Sequence, residues 1–464
     1  MKKESVIKLI KFLFAIAVGV LIAVVPEPTE TLTAEGLKFM GVFVAMILVM
    51  VFGIFPDAIT VVGALAAMLV FGVSDFGTIF SGYSGSTVWM VVALVGFATG
   101  VINSGLMKRL AYMFMKLFKP NYSGQIRAIM ITGGILSPCI PNMPAKVSIL
   151  APFSTQIADA LGIEHKSKGA AGLFSAMFYP ANIFGLCFLT GATMVYMLLG
   201  LMPDIEFSWL SWCGATIVWG IVCMVGYYFF NVKYYKVEAD ELPPNFVQNK
   251  LNELGPMTGN EKYAAVLLIA GIIGWMTTSI HGIDSFVIAV VLWLLMVAKG
   301  LFSPQEIATK LPWTVILMMG GITGISTLFT VTGLGTWLQT TIGPFLGTLV
   351  PNAFMMVLVI TVVTYLLRYA VVSMLAVLTI MFAIFAPIAA TMGISPFVVI
   401  WTTYTACQVW NLSFHNTSYI MAEGMTNGLV EWKNVASSSY FYMVINLLGN
   451  LACIPAWMLM GFIA

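Results

Sequence analysis

Long apolar stretches separated by short polar segments run along almost the whole chain. Many reach the roughly 20 residues that an α-helix needs to cross a hydrocarbon core about 30 Å thick. The pattern predicts an all-α membrane protein with about eleven transmembrane helices. We place these helices at residues 8–26, 37–54, 57–73, 87–117, 167–202, 208–231, 262–279, 283–299, 312–345, 395–424 and 435–463.

Two further apolar stretches, at about 126–158 and 353–391, are long but interrupted near the middle. Prolines interrupt the first stretch, and the polar region around Arg368 and Ser373 interrupts the second. A helix broken at mid-membrane is tolerated only where protein or a cavity satisfies its free backbone groups. We therefore predict two re-entrant hairpins, each of which enters and leaves the membrane on the same side.

The composition excludes a soluble globular protein. Hydrophobic residues make up 60% of the chain and charged residues 9%, whereas soluble domains have about 45–50% and about 25%. The net charge of +2 is spread over many loops, so no nucleic-acid partner is expected. The six cysteines lie in apolar segments without a CxxC motif, which indicates packing residues and no metal site.

The distribution of basic residues predicts which side of the membrane each loop faces. With the N-terminus in the cytoplasm, only Lys38 of the 21 Lys and Arg residues falls outside, and Lys146 and Arg368 fall within the hairpins. Cytoplasmic loops of membrane proteins carry an excess of Lys and Arg. We therefore predict a multi-pass protein in the lipid of a bacterial-type inner membrane, with its C-terminus outside.

An internal repeat relates the two halves of the chain. Trp89 and a Thr-Gly pair ten residues later recur as Trp313 and a second Thr-Gly pair at the same spacing. Gly162 after the first hairpin matches Gly393 after the second. In the predicted topology the copies begin on opposite sides, so the repeats are inverted, as in many secondary transporters. The predicted organisation is a first helix with its outer loop (1–36), repeat one (37–232), a cytoplasmic linker (233–261) and repeat two (262–464).

No catalytic motif is apparent in the sequence. The chain has no G-x-S-x-G, HExxH or Walker A pattern, and its three histidines lie far apart. We therefore do not expect an enzyme. Polar and charged residues at membrane depth are costly, and they suggest a ligand site or a transport pathway instead.

Four polar clusters lie at this depth, two at the hairpin tips and two within long spans. Helices that begin at such breaks point N–H groups and positive dipole ends at the gap, which suits a carboxylate. We predict that the four clusters converge on one substrate site. Its predicted residues are Asn142, Met143 and Lys146 at the first tip, Thr190, Gly191, Ala192 and Thr193 in the first break, Arg368, Ser373 and Met374 at the second tip, and His415, Asn416, Thr417 and Ser418 in the second break.

Each cluster also has a plainer interpretation. The threonines could bond their own helix backbone, Asn142 could form a simple turn, and His415 could be a satisfied core histidine. Lys146 and Arg368 could extend to the membrane surface if the hairpins are shallower than predicted. The position of both basic residues near the centres of the hairpins favours a functional role.

Taken together, the hairpins, broken helices and repeats resemble the divalent anion/sodium symporter family. The resemblance covers residues 37–464, and the stretch Glu-Leu-Gly-Pro-Met-Thr-Gly-Asn-Glu-Lys at 253–262 is similar to the family's mid-chain junction. It implies a secondary transporter of di- or tricarboxylate anions. It also implies an inverted-repeat fold, a homodimer, and an elevator-type movement of a transport domain against a scaffold.

The hairpin tips depart from the family pattern. The family's Ser-Asn-Thr is replaced by Pro-Asn-Met around Asn142 and by Val-Ser-Met around Ser373. Because methionine sulfur is a poor ligand for hard cations such as sodium, we expect no cofactor and sodium-independent exchange. Lys146 and Arg368 would supply the positive charge. A sodium-coupled dicarboxylate symporter that uses backbone carbonyls is the alternative, and a channel or a lipid-modifying enzyme fits the pattern less well.

Overall fold

The computed structural model describes residues 3–29, 31–202, 204–238, 241–341, 350–413 and 416–464. Within these residues the chain is helical, and the only β-type pairing is one isolated antiparallel bridge. Nine helices in this part of the chain are long and apolar enough to cross a membrane. The prediction of an all-α membrane protein is confirmed, whereas the count of eleven crossings stays a prediction.

The helices of the first half lead up to the predicted linker. They are α1 (Lys3–Val24), α2 (Ala34–Val51), α3 (Asp57–Val70), α4 (Phe76–Ile79), α5 (Ser86–Asn103), α6 (Leu106–Met115), α7 (Tyr122–Leu136), α8 (Met143–Ala160), α9 (Lys168–Phe178), α10 (Thr193–Gly200) and α11 (Trp209–Lys233).

The second half begins within the linker. Its described helices are α12 (Phe246–Glu253), α13 (Gly259–Met276), α14 (Thr278–His281), α15 (Ser285–Ala298), α16 (Pro304–Lys310), α17 (Trp313–Val331), α18 (Leu334–Thr341), α19 (Ala353–Ala370), α20 (Met374–Thr391), α21 (Pro396–Cys407), α22 (Thr417–Met425) and α23 (Trp432–Leu459).

Two spans predicted as single helices are each divided by a glycine. The span 87–117 is divided into α5 and α6 at Gly105 (φ 84°), and the span 312–345 into α17 and α18 at Gly333 (φ 74°). A positive φ suits glycine and ends an α-helix. The hydrophobic pattern does not register such a stop, so both predictions of an unbroken helix are wrong.

Helices α7 and α8 form the first hairpin, and α19 and α20 form the second. Each second arm ends at a glycine of positive φ, Gly162 (64°) or Gly393 (67°). In both, the N–H of the next residue donates to the carbonyl five residues earlier at 2.8 Å. This is the same helix stop in both halves, as a repeat would produce, although the inverted relation stays a prediction.

Asparagine side chains on α23 fix the helices around the second break. Asn446 accepts from Trp219 Nε1 at 2.8 Å and donates to Tyr365 Oη at 2.9 Å. Asn450 donates to Thr405 Oγ1 at 3.0 Å. Because buried polar groups need partners, these bonds set the relative positions of α11, α19, α21 and α23.

A buried ion pair joins α6 to the mid-chain junction. Arg109 Nε donates to Glu261 Oε1 at 2.8 Å, and its Nη1 donates to the Gly255 carbonyl at 2.9 Å. Burial acts to raise the pKa of Glu261, but hydrogen bonds from Arg109 and Thr258 outweigh it and hold that pKa below its ordinary value. The junction that resembles the family is thus a structural clamp between the two halves.

Candidate anion-binding site

The first hairpin tip is hydrogen-bonded to the first helix break. The amide of Thr193 donates to the Pro141 carbonyl at 2.8 Å, and Thr190 Oγ1 donates to the Pro138 carbonyl at 2.6 Å. Asn142 is half-buried and extended (φ −108°, ψ 115°), and α8 begins at the next residue. The structure therefore brings two of the four predicted clusters together, and Thr190 does not simply bond its own helix.

Lys146 places a cation between this tip and this break. The side chain is fully buried, and Nζ donates to the Gly191 carbonyl at 2.9 Å. A Cβ at Gly185 would lie 2.4 Å from Nζ, and a Cβ at Gly191 would lie 2.2 Å from the Gly185 carbonyl oxygen. Glycine at position 185 leaves the space that the ammonium occupies, and glycine at position 191 allows the two backbone segments to approach. Lys146 therefore lies buried at the tip and does not extend to the membrane surface.

Irregular turns explain how the first break exposes its carbonyls. After α9 come a π-helical turn at Tyr179–Ile183 and a 3₁₀ turn at Phe184–Cys187. A further turn at 188–191 and the extended residue Ala192 then lead to α10. Pro180 cannot supply an amide proton to a helix, and its carbonyl accepts from Ser137 Oγ at 2.7 Å. The two remaining predicted residues of this region, Met143 and Ala192, lie half-buried beside the break.

The second tip is closed by Arg368, on the arm that leads into it. The side chain is fully buried, and Nη1 donates to the carbonyl oxygens of Val371, at 3.0 Å, and Val372. Arg368 thus lies against tip carbonyls rather than extending to the membrane surface. Lys146 lies on the second arm of its own hairpin, so the two cations do not occupy equivalent positions.

Ser373 links the second tip to a helix outside the hairpin. Its Oγ accepts from the Ala376 amide at 3.1 Å, which caps α20 at Met374, and donates to Asp57 Oδ2 at 2.8 Å. Asp57 is the first residue of α3. Sequence reasoning missed Asp57, because it lies more than 300 positions from Ser373 and no local pattern relates the two residues.

Asn416 shapes the second break. Its Oδ1 accepts from the Tyr419 amide at 3.2 Å and caps α22, while Nδ2 donates to the Gln408 carbonyl at 3.0 Å, just beyond α21. The other predicted residues here are Thr417 (exposed) and Ser418 (half-buried), in the first turn of α22, and His415, which lies outside the described residues.

Helices α8 and α22 pack together and meet near their C-terminal ends, where Thr155 Oγ1 donates to the Thr426 carbonyl at 3.2 Å. Helix α8 begins at the first hairpin tip and α22 at the second break. Leu201 and Phe382 line one small cavity, each eight positions beyond the start of α10 or α20. Contacts thus relate the first tip to the second break and the first break to the second tip, while the convergence of all four clusters on one site stays a prediction.

Two clefts lie along parts of the boundary between these helices and their neighbours. One, of roughly 350 Å³, lies among α5, α10, α11, α13 and α15, and reaches from Glu206 and Asp284 to Thr190. The other, of roughly 450 Å³, lies between α17 and α20. The helices that carry the predicted site thus meet α5 and α17 across incompletely packed boundaries.

Comparison with known proteins places the chain in a family. The family described as "Sodium:sulfate symporter transmembrane region" matches residues 6–461. The chain is 24% identical over 400 residues to the chloroplastic dicarboxylate transporter 1 of Spinacia oleracea, covering 83% of this chain and 69% of that protein. It is 26% identical over 299 residues to the putative malate transporter YflS of Bacillus subtilis, covering 62% of each.

A solved structure has the same fold. The YdaH transporter of Alcanivorax borkumensis superposes with a TM-score of 0.60 at 13% identity, covering 98% of each chain. The family match confirms the resemblance drawn from the sequence, and with it a transporter rather than an enzyme. The chain is a multi-pass membrane protein that belongs to the sodium:sulfate symporter family.

Proposed function

We propose that the protein is a secondary transporter that exchanges small di- or tricarboxylate anions without sodium. Two relatives are named as dicarboxylate and malate transporters, which supports this substrate class. The site chemistry supports it too, because two buried basic side chains and the N-termini of α8, α10, α20 and α22 lie at the predicted tips and breaks. A bound dianion needs such compensation, since an unpaired buried ion costs several kcal/mol.

The observation that carries the proposal is the bonding of Lys146 and Arg368 to backbone carbonyls. Carbonyl oxygens are ligands that hard cations prefer, so in a coupled symporter a sodium ion would suit such positions. Here the Lys146 ammonium bonds the Gly191 carbonyl, and the Arg368 guanidinium bonds the Val371 carbonyl. We infer that covalently attached cations replace sodium and that the positive charge of the site is permanent.

A permanent charge favours exchange over net transport. Sodium can leave with the substrate, whereas Lys146 and Arg368 cannot. An empty site therefore retains uncompensated positive charge, and moving it through a low-dielectric interior is unfavourable. A bound dicarboxylate offsets that charge, so each crossing is fast only when an anion occupies the site.

An elevator-type movement would provide alternating access. We assign the hairpins, α9–α11 and α21–α23 to the moving body, and α2, α3, α5, α13, α15 and α17 to the fixed body. The two clefts along α10 and α20 support this division, because they lie between the two sets of helices. The four N-termini all belong to the moving body and would travel together with the anion.

We also propose a homodimer, on the family resemblance. Light scattering on the detergent-solubilised protein should give twice the chain mass of 50.4 kDa after subtraction of detergent. A protein mass of one chain, unchanged across a range of concentrations, would contradict the dimer.

Transport by purified protein in liposomes tests the proposed function. Vesicles loaded with unlabelled succinate should take up labelled succinate equally well from potassium and sodium buffers. Uptake should fall at least about tenfold, equivalent to about 1.4 kcal/mol, when the internal succinate is omitted. Competition by malate, 2-oxoglutarate, citrate, tartrate and sulfate would then define the substrate class. Strict dependence on external sodium would refute sodium-independent exchange.

A sodium-coupled symporter is the second candidate function. The description of the matching family supports it, because that description names a sodium:sulfate symporter. In that case tip and break carbonyls would bind sodium beside Lys146 and Arg368. The same vesicles decide between the two, because a symporter takes up substrate into vesicles without internal succinate when a sodium gradient is imposed.

A further inference from the structure

We propose that the Asp57 carboxylate is an internal competitor of the substrate at the second hairpin tip. The inference rests on the proposed function, in which the tip binds a carboxylate. Ser373 Oγ, at the start of α20, donates to Asp57 Oδ2 at 2.8 Å. A carboxylate from elsewhere in the chain thus already occupies the hydrogen-bonding position that a bound anion would use.

The Ser373 hydroxyl can donate to the Asp57 carboxylate or to a substrate carboxylate, but not to both. A serine hydroxyl has one proton to donate, and Ser373 directs it to Asp57 while its oxygen accepts from the Ala376 amide. A substrate carboxylate can take this proton only after Asp57 releases it. Two carboxylates at one donor also repel each other, so binding of the anion displaces Asp57.

Asp57 is held in position at the start of α3. It follows Pro56 and opens α3, where the positive end of the helix dipole stabilises an acidic side chain. Helix α3 packs against α2 and α17 in the proposed fixed body, whereas Ser373 belongs to the proposed moving body. The hydrogen bond therefore connects the two proposed bodies.

This contact supplies a second reason for exchange. When no anion is bound, Asp57 holds the second hairpin against α3 and slows the return of the empty site. When an anion binds at Ser373, the contact breaks and the hairpin is released. Asp57 is thus a positioning residue that couples occupancy of the site to its freedom to move.

The test compares net uptake with exchange in liposomes carrying wild type, Asp57→Ala, Asp57→Asn or Glu35→Ala. Glu35 is the matched control, since it is an exposed acid in the first turn of α2. The ratio of net uptake to exchange should rise about tenfold in Asp57→Ala, the effect of removing a hydrogen bond to a charged group. It should rise less in Asp57→Asn, which keeps an acceptor without the charge, and should stay at the wild-type value in Glu35→Ala.

Equilibrium binding of labelled succinate to the purified proteins is the second measurement. Loss of the competitor should lower the dissociation constant several-fold in Asp57→Ala, again about the effect of one charge-assisted hydrogen bond. If Asp57→Ala does not fold, the isosteric Asp57→Asn decides. Wild-type ratios and affinities in both Asp57 variants would overturn the inference.

Failure of this inference is distinguishable from failure of the proposed function. If wild-type uptake depends on sodium, the proposed exchange fails, yet the effect of Asp57→Ala on succinate affinity is still measurable in sodium buffer. If wild type exchanges succinate without sodium and the Asp57 variants match it in both measurements, only the competitor role fails.

Discussion

At the scale of single residues, Lys146 and Arg368 bury basic side chains inside the protein against backbone carbonyls. Burial of an ion is costly even after the protein relaxes, and an apolar side chain of similar size is often as stable or more stable. Stability alone therefore does not favour lysine at position 146. We attribute its presence to the charge that it offers a bound anion.

Lys146→Met tests this separation of stability from function. We expect exchange of succinate to fall more than about tenfold, because the variant loses a charge at the site. The melting temperature in detergent should stay the same or rise, since a buried charge is replaced by an apolar chain. Lys310→Met, at an exposed position at the end of α16, should match wild type in both measurements. Full exchange by Lys146→Met would show that the ammonium is not needed.

Glu261 illustrates the opposite case, a charge that stabilises the fold. Its pKa lies below the ordinary value of 4.5. Its contribution to the free energy of unfolding is therefore fully present above about pH 4.5 and is lost as the pH falls through the folded-state pKa. Glu261→Gln should destabilise the protein by about 1–3 kcal/mol at pH 7. The difference in melting temperature should shrink below about pH 4.5, and a difference independent of pH would contradict this assignment.

At the scale of elements, the sequence predicted the hairpins closely and the helix stops poorly. The predicted ranges 126–158 and 353–391 agree with α7–α8 and α19–α20, because apolar runs interrupted by prolines or a buried arginine are distinctive. The stop at Gly105 was missed because the short polar segment around it was included in one long span. The contact between Ser373 and Asp57 was invisible, since it depends on how distant helices pack.

Close packing at the first break yields a prediction at this scale. A Cβ at Gly191 would lie 2.2 Å from the Gly185 carbonyl oxygen and 2.8 Å from that of Ser137. Gly191→Ala should therefore destabilise the protein by about 1–3 kcal/mol and reduce exchange, because the carbonyl that holds Lys146 must move. Gly424→Ala is the matched control, since α22 leaves open space around that glycine. Equal melting temperatures for the two variants would refute the close packing.

At the scale of the whole molecule, the proposed transport cycle requires α10 to move past α17. The two helices now pack directly, and Ser326 Oγ on α17 donates to the Leu201 carbonyl at 3.1 Å. By contrast, α5 and α15 belong to one body in the proposal and should keep their contact throughout the cycle. Covalent links across the two kinds of boundary should therefore have opposite effects on transport.

A cysteine pair at Gly200 and Thr323 tests the movement. A Cβ at Gly200 would lie 3.7 Å from the Thr323 Cβ, close to the 3.8 Å average in disulfides. With all six native cysteines, which are free, replaced by serine or alanine, oxidation of Gly200→Cys/Thr323→Cys should abolish exchange. Reduction should restore it. Gly100→Cys/Met296→Cys links α5 to α15 as the matched control. Its Cβ atoms would lie 2.8 Å apart and must separate by about 1 Å to form the bond, and its exchange should survive oxidation. Undiminished exchange by the fully cross-linked Gly200/Thr323 pair would rule out relative movement of α10 and α17.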